Sequence, residues 1–374
     1  MIPLNKPGYI KYICNNDYLN QKFADFKVRI TVSARDGLNL VYKHLYKKNG
    51  KMNIGVSPFT CFQAILPIIA NGHIPVFIDI DPNTFNIDPG QLQKHNIDAL
   101  EVIHLGGTPC EMDAIYEWTK TSKSIIIEDC AQALGSTYDG IDVGKFGDYS
   151  VFSLIKNIHA TIGGLLLSKN DMIEDDIQPL SKIMFYYRTI KNFLEGHCNH
   201  HWYNPWNPIY FGLMKLKEEA SNNIDTKIRG VDNSLERNLR KSISSIEKLN
   251  QMRIKNASYM IERIDTKRYI VQKVPNKAIS NRNRLLFRLK EPIAEKVIER
   301  LRKNGIAANN LTQNYLSGFQ SHISLHNILS KYYDGSKLKQ YNSIYNSVIA
   351  IPCSGFLTHS EINYIVKKLN QIEI

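Results

Sequence analysis

Two residues frame the chemical question in this sequence. Asp129 closes the apolar run of SIIIED (124–129), and Lys156 follows the strand-like DYSVFSL (148–154) in a turn that leads to Gly163 and Gly164. A carboxylate buried behind three isoleucines is costly unless a cation or several hydrogen-bond donors face it. Its neighbour Glu128 is expected on the opposite side, because side chains alternate along a strand. Schiff-base chemistry requires an amine on a short, shielded tether and an electron sink aligned with the bond to be broken. Read alone, a strand-end Asp is a turn or capping residue and a Lys before Asn is a surface group. Their order and spacing are what join them.

Pyridoxal phosphate supplies such a sink. Its pyridine nitrogen works best protonated, and a carboxylate in contact keeps it so, which would give Asp129 its cation. The phosphate needs backbone N–H groups at a helix start. TVSARDGLNLVYKHL (31–45) offers one, with Ser33 as N-cap and the helix beginning near Ala34.

The elements around these residues alternate. MNIGVSP (52–58), HIPVFIDID (73–81), DALEVIHLGG (98–107) and KSIIIED (123–129) read as buried strands rich in Ile and Val, and DYSVFSL and GGLLLSK (163–169) add two more. Helix-sized TCFQAILPIIANG (60–72) and EMDAIYEWTKTSK (111–123) separate them, the pattern of βαβ units. The fold class is therefore α/β, with a mainly parallel sheet whose strand ends gather functional groups. Residues 170–230 break the pattern as an aromatic excursion carrying Trp202 and Trp206. Spacing predicts one long helix over 234–264, followed by a small α+β unit. The expected division is a large cofactor-binding domain over 1–233 and a C-terminal part over 234–374.

Composition excludes several classes. With 374 residues, 43% apolar and 22% charged, the chain suits a soluble globular protein and not a disordered one. The net charge of +12 is spread along the chain without an arginine-rich block or a nucleic-acid motif. Such an excess can attract nucleic acid, anionic lipid or phosphorylated small molecules, and charge alone does not choose among them; spread in this way it reads mostly as solvated surface, and no nucleic-acid partner is expected. Six cysteines lack a CxxC pair, the N-terminus lacks a secretory signal, and no apolar run reaches the length of a spanning helix. The expectation is a cytoplasmic protein with reduced thiols and no membrane span. His197, Cys198, His200 and His201 fit no standard zinc spacing, so no metal is expected.

The sequence resembles the DegT-like sugar aminotransferases, members of fold type I of the pyridoxal-phosphate enzymes. The likeness runs nearly end to end, through SARDGLNL, VSPFTCFQAI, GHIPVFIDIDPNTFNID, VIHLGGTPCEMDAI and the late IAIPCSGFLTHSEI. Its most specific stretch is IIEDCAQALGSTYDGIDVGKFGDYSVFSL (126–154). The resemblance implies that Lys156 carries the Schiff base, Asp129 pairs with the pyridine nitrogen, Gln132 lies near the cofactor's 3-hydroxyl and Ser153 binds its phosphate. It puts Ala34 and Arg35 at the amides that meet the phosphate, and Thr60 and Cys61 at a Thr-aromatic pair that lines the ring, with Phe62 or the thiol itself in the aromatic role. Asn233 stands for a residue that the partner subunit of a homodimer contributes.

Three departures stand out. Only Ile155 separates Leu154 from Lys156, two residues fewer than is usual in the family; Ile162 replaces a glutamate; and the Asn-x-Arg element near Asn233 is irregular. The implied reaction moves an amino group from an amino acid, glutamate in this family, to a nucleotide-linked keto-sugar for glycan synthesis, with the freed Lys156 amine moving the proton. The aromatic segment 198–213 reads either as a sugar or nucleotide face or as packing. Two competing readings are a sugar dehydratase that uses His159 and a non-catalytic sensor or scaffold that keeps the fold.

Overall fold

The structure, a computed structural model, describes residues 18–160, 162–170, 173, 178–179, 229–230, 233–310 and 329–372. The aromatic excursion, with Trp202, Trp206 and the cluster from His197 to His201, lies outside the described residues.

Seven strands form the main sheet: β1 Lys27–Thr31, β2 Asn53–Val56, β3 Ile74–Phe77, β4 Ala99–Ile103, β5 Ile125–Asp129, β6 Tyr149–Ser153 and β7 Gly164–Ser168, in the order β1-β7-β6-β5-β4-β2-β3. β7 runs antiparallel to both its neighbours, and every other pairing is parallel. This is the mainly parallel α/β sheet that the apolar runs predict. β1 escapes the sequence reading because KVRIT is a charged edge strand, only its last two residues being buried.

Helices α1 Ala34–Asn49, α2 Phe62–Ala70, α3 Met112–Ser122 and the single turn α4 Leu154–Ile158 connect the strands. Ser33 caps α1 by accepting from the Asp36 amide, and Gly50 ends it with φ 73°, a left-handed value that suits glycine. Successive residues of the central strands feed opposite layers. Ile127 and Val151 pack with Leu38, Val41 and Leu45 of α1, whereas Leu100, Val102 and Ile126 pack with Ile115 and Trp118 of α3. Each such fully buried side chain stabilises the fold by about 1.5–3 kcal/mol.

The helix expected over 234–264 is two helices, α5 Asn233–Ile243 and α6 Ile246–Ile261. The break falls at consecutive serines whose hydroxyls bond back to the preceding turn, Ser244 Oγ to Lys241 O and Ser245 Oγ to Ser242 O, both at 2.7 Å. Leu239, Ile243 and Ile246 are buried against the large sheet, but Ala257 and Met260 belong to a second core. That core fills an antiparallel sheet of β8 Tyr269–Val271, β9 Leu285–Leu289, β10 Asn309–Asn310 and β11 Val348–Ile351, with helices α7 Ala294–Lys303 and α8 His359–Gln371. A capping box between Thr358 and Glu361 starts α8. Among the described residues no helix is long and apolar enough to cross a membrane.

Candidate active site

Strand register brings the predicted residues to one edge of the sheet. Asp129 is the last residue of β5, beside Ile103 and Val151. Ser153 ends β6 beside Gly164, and Gly164 in turn faces Thr31 at the end of β1. From Thr31 the chain passes through Ser33 into α1. A Cβ on Gly164 would lie 2.5 Å from Ser33 C, 2.6 Å from Ala34 N and 2.7 Å from Thr31 Oγ1, so only glycine lets β7 meet the start of this helix. The Ser33 hydroxyl occupies the Asp36 amide, and the amides of Ala34 and Arg35 open the first helical turn. The buried Ser153 hydroxyl makes no capping bond to α4. The result is a concentration of donors at a helix N-terminus, suited to an anion.

Asp129 and Glu128 are both buried and differently supplied. Glu128 accepts from the amides of Gly144 (2.8 Å), Phe146 (2.7 Å) and Gly147 (2.6 Å) and from His104 Nε2 (3.0 Å). His104 Nδ1 accepts from the Cys110 amide at 3.1 Å, which places the ring proton on Nε2. His104, Glu128 and Cys130 form a His/Glu/Cys cluster, but both ring nitrogens and the carboxylate already have protein partners. The Asp129 carboxylate accepts one hydrogen bond among the described residues, from the Ala131 amide at 2.8 Å. Burial pushes its carboxyl above the ordinary value, and the Lys156 ammonium, the Ala131 amide and His104 pull the other way.

Lys156 sits in α4, three residues beyond Ser153, so the shortened loop becomes a helical turn attached directly to β6. Asn157, fully buried, fixes that turn. Its Nδ2 donates to Ala131 O (2.9 Å) and Ser153 O (2.7 Å), and its Oδ1 accepts from the Leu134 amide (3.2 Å). The turn after β5 and the lysine turn are thereby tied together. Arg253 of α6 donates to Asn157 O at 2.6 Å, and Asn283 Nδ2 donates to Lys156 O at 2.9 Å. Ile162 is fully buried and Leu154 packs beside Gly163, an apolar setting for the position where the family carries glutamate.

His159 closes α4 in a left-handed conformation, φ 56°. Burial, then the charges of Arg253 and Arg284, lower its pKa to about 3. An imidazole so far below neutral pH is a poor general base, and the dehydratase reading loses its motivating residue.

The other predicted positions divide. Gln132 Oε1 accepts from the Gly106 amide at 3.1 Å, which leaves Nε2 as the donor end. Thr60 and Phe62 are buried, Phe62 within the main core, and Cys61 is the half-buried member of the trio. Of the two stand-ins for the aromatic residue, the thiol is the one outside the core. The Arg35 side chain turns to Gln63 Oε1, which leaves its amide for the role proposed above. Asn233 opens α5, and its side chain lies outside the described residues.

Besides Asn157, sequence reasoning missed three contributors. Arg253 occupies the apolar stripe Ile246, Leu249, Arg253, Ala257, Met260 of α6, and a charge at helical spacing among buried positions was the available signal. Glu101 lies in the middle of β4, fully buried and bonded by the Tyr42 hydroxyl. Burial, reinforced by Asp129, holds its carboxyl well above the ordinary range, with the Tyr42 bond opposing. The segment Ser280–Arg284 carries Asn281, whose Nδ2 donates to Gln132 O and Leu134 O, both at 3.1 Å. Nothing in SNRNR announces that contact.

Comparison with known proteins adds a family. The profile of the DegT/DnrJ/EryC1/StrS aminotransferase family matches residues 15–370. A spore coat polysaccharide biosynthesis protein, SpsC of Bacillus subtilis, is 37% identical over 130 residues, 33% of each chain. A dTDP-3-amino-3,6-dideoxy-alpha-D-galactopyranose transaminase of Aneurinibacillus thermoaerophilus is 37% identical over 144 residues, 37% of this chain and 39% of its own. The match thus spans under half the length of these relatives. The solved sugar aminotransferase CalS13 of Micromonospora echinospora superposes over 99% of both chains with a TM-score of 0.69 at 16% identity, a likeness of fold.

Proposed function

The chain belongs to the DegT/DnrJ/EryC1/StrS aminotransferase family, and from that membership we propose that it is a pyridoxal-phosphate-dependent aminotransferase. Its amino donor is glutamate, and its acceptor is a keto-sugar carried on a nucleotide diphosphate. The observation that carries the reading is the meeting of Asp129, Ser153, Lys156 and the α1 N-terminus at one sheet edge. The names of relatives, a dTDP-sugar transaminase and a GDP-perosamine synthase, support the substrate class. The net charge of +12 suits a substrate bearing phosphates.

The residues present fit the cofactor. The undersupplied carboxylate of Asp129 suits a pyridinium, and the Ala34 and Arg35 amides at the start of α1 suit a phosphate. Asp129 would hold the ring nitrogen's proton, Gln132 Nε2 would donate to the 3-oxygen, and Ser153 with the Ala34 and Arg35 amides would hold the phosphate. Cys61 and Thr60 would lie along the ring. When bound, pyridoxal phosphate supplies the electron sink that lets an amino acid lose its Cα proton. Lys156 Nζ would take that proton and return it to the carbon two bonds away, across the nitrogen, its reach fixed by the Asn157 clamp beneath it. The Arg253 and Asn283 bonds to the backbone of the same turn leave the amine as the part that moves.

We further read the enzyme as a cytoplasmic homodimer, Asn233 being the position at which one subunit would reach the other's site. Adding pyridoxal phosphate to the purified protein should give the yellow band of the lysine-bound cofactor, and glutamate should bleach it. Lys156→Ala should remove the band's response to glutamate and lower turnover by about four orders of magnitude. Unchanged turnover in that variant would sink the reading, and a band that glutamate leaves untouched would favour a cofactor-binding scaffold.

A further inference from the structure

Ser280–Arg284 is tied to the turns around Lys156 through the bond of Asn281 Nδ2 to Gln132 O and the bond of Asn283 Nδ2 to Lys156 O. Between those two asparagines stands Arg282, with φ 51°. A left-handed backbone at a long side chain is unfavourable and persists where its surroundings impose it. Here the Arg282 amide donates to Ser280 Oγ at 3.2 Å and the Asn283 amide to Asn281 Oδ1 at 2.9 Å. The guanidinium that this strained backbone presents is itself unusual: Nη1 is buried without a hydrogen-bond partner among the described residues, and Asn283 Oδ1 is in the same condition. Leaving such groups unsatisfied is costly, and more so for a charge. Fold stability alone gives no reason to keep two such groups on consecutive residues, one of which also donates to the carbonyl of Lys156.

Three guanidiniums converge on the Cys353 thiol. Cys353, just past β11, feels Arg253, Arg282 and Arg284, which all oppose the effect of burial on its thiol. Arg253 is committed to Asn157 O and to Asn250 Oδ1. Burial lowers the Arg282 guanidinium from its ordinary value, with the Cys353 thiol opposing.

We propose that Arg282 anchors an oxyanion of the substrate at the Lys156 site, either a carboxylate of the amino donor or a phosphate of the acceptor, while Asn283 Oδ1 accepts a hydrogen bond from the same ligand. The inference rests on the reading of Lys156 as the reacting amine. A guanidinium fork matches two oxygens of one anion, and an anion seated there would satisfy the buried Nη1.

Calorimetric titration of the cofactor-loaded protein with glutarate and, separately, pyrophosphate tests this without turnover. One of the two should bind the wild type and lose at least about tenfold in affinity in Arg282→Gln. Loss of glutarate assigns the donor carboxylate, and loss of pyrophosphate assigns the acceptor phosphate. Should Arg282→Gln melt well below the wild type, Arg282→Lys, which keeps the charge without the fork, is held to the same threshold. The proposal is overturned if neither anion binds the wild type, or if the loss stays below that threshold for both. If glutamate fails to bleach the wild-type band while glutarate binding still depends on Arg282, the aminotransferase reading falls and the anion site stands.

Discussion

Across β5 the chain turns Glu128 toward the loop Gly144–Gly147 and Asp129 toward Lys156, and it treats these two buried carboxylates differently. Glu128 receives three backbone amides and an imidazole N–H, and Asp129 receives one amide. The loop around Glu128 is shaped for that purpose. Gly144 has φ 93°, and a Cβ there would strike the Phe152 ring at 2.3 Å. A buried charge saturated by permanent donors is part of the framework, and one left short of donors has room for a ligand's charge.

Substitutions can break this contrast. Asp129→Asn should lower transamination by about 10²–10⁴-fold while the protein stays folded, measured as the rate at which glutamate bleaches the cofactor. Glu128→Ala should do the reverse. It orphans three amides and His104, so urea denaturation should show a loss of about 3 kcal/mol or more, with activity per folded molecule largely retained. Equal losses of activity in the two variants would erase the distinction.

Titration sharpens it. The folded Asp129 carboxyl lies above its unfolded value, so ionising it in the cofactor-free fold is unfavourable. Stability should fall as pH rises from about 4 through the folded value. Glu101 acts in the same direction and its shift is reinforced by Asp129, so the difference between wild type and Asp129→Asn carries the Asp129 effect together with the relief of Glu101. Thermal melts of the cofactor-free proteins should show the variant gaining at neutral pH, and that gain vanishing below about pH 4. A difference independent of pH would mean that Asp129 is not the source. The smallest effect belongs to Ser153→Ala. It should weaken cofactor affinity by about tenfold in a spectral titration and leave the melting temperature unchanged, because the hydroxyl does not cap α4.

The sheet was legible wherever strands are buried on both faces, since runs such as SIIIED carry no competing pattern. The edge strand KVRIT was not, because its charges mask the period. Asp129, Ser153 and Lys156 were found as ends of apolar strands, and the register that joins them to Gly164 and Ala34 could be seen only in three dimensions. The sequence also suggested that Glu128 turns away from Asp129, and the structure shows what it turns toward. Asn157, Arg253 and Asn281 were hidden for a common reason: they act through backbone carbonyls, which every residue owns and no sequence pattern marks.

Helix α6 has a mechanical consequence. It starts in the core under the large sheet with Ile246, ends in the second core with Ala257 and Met260, and grips the carbonyl of Asn157 through Arg253 at mid-span. It is a beam clamped at both ends and riveted to the lysine turn. Through that one bond the packing of the second core bears on the residue next to Lys156.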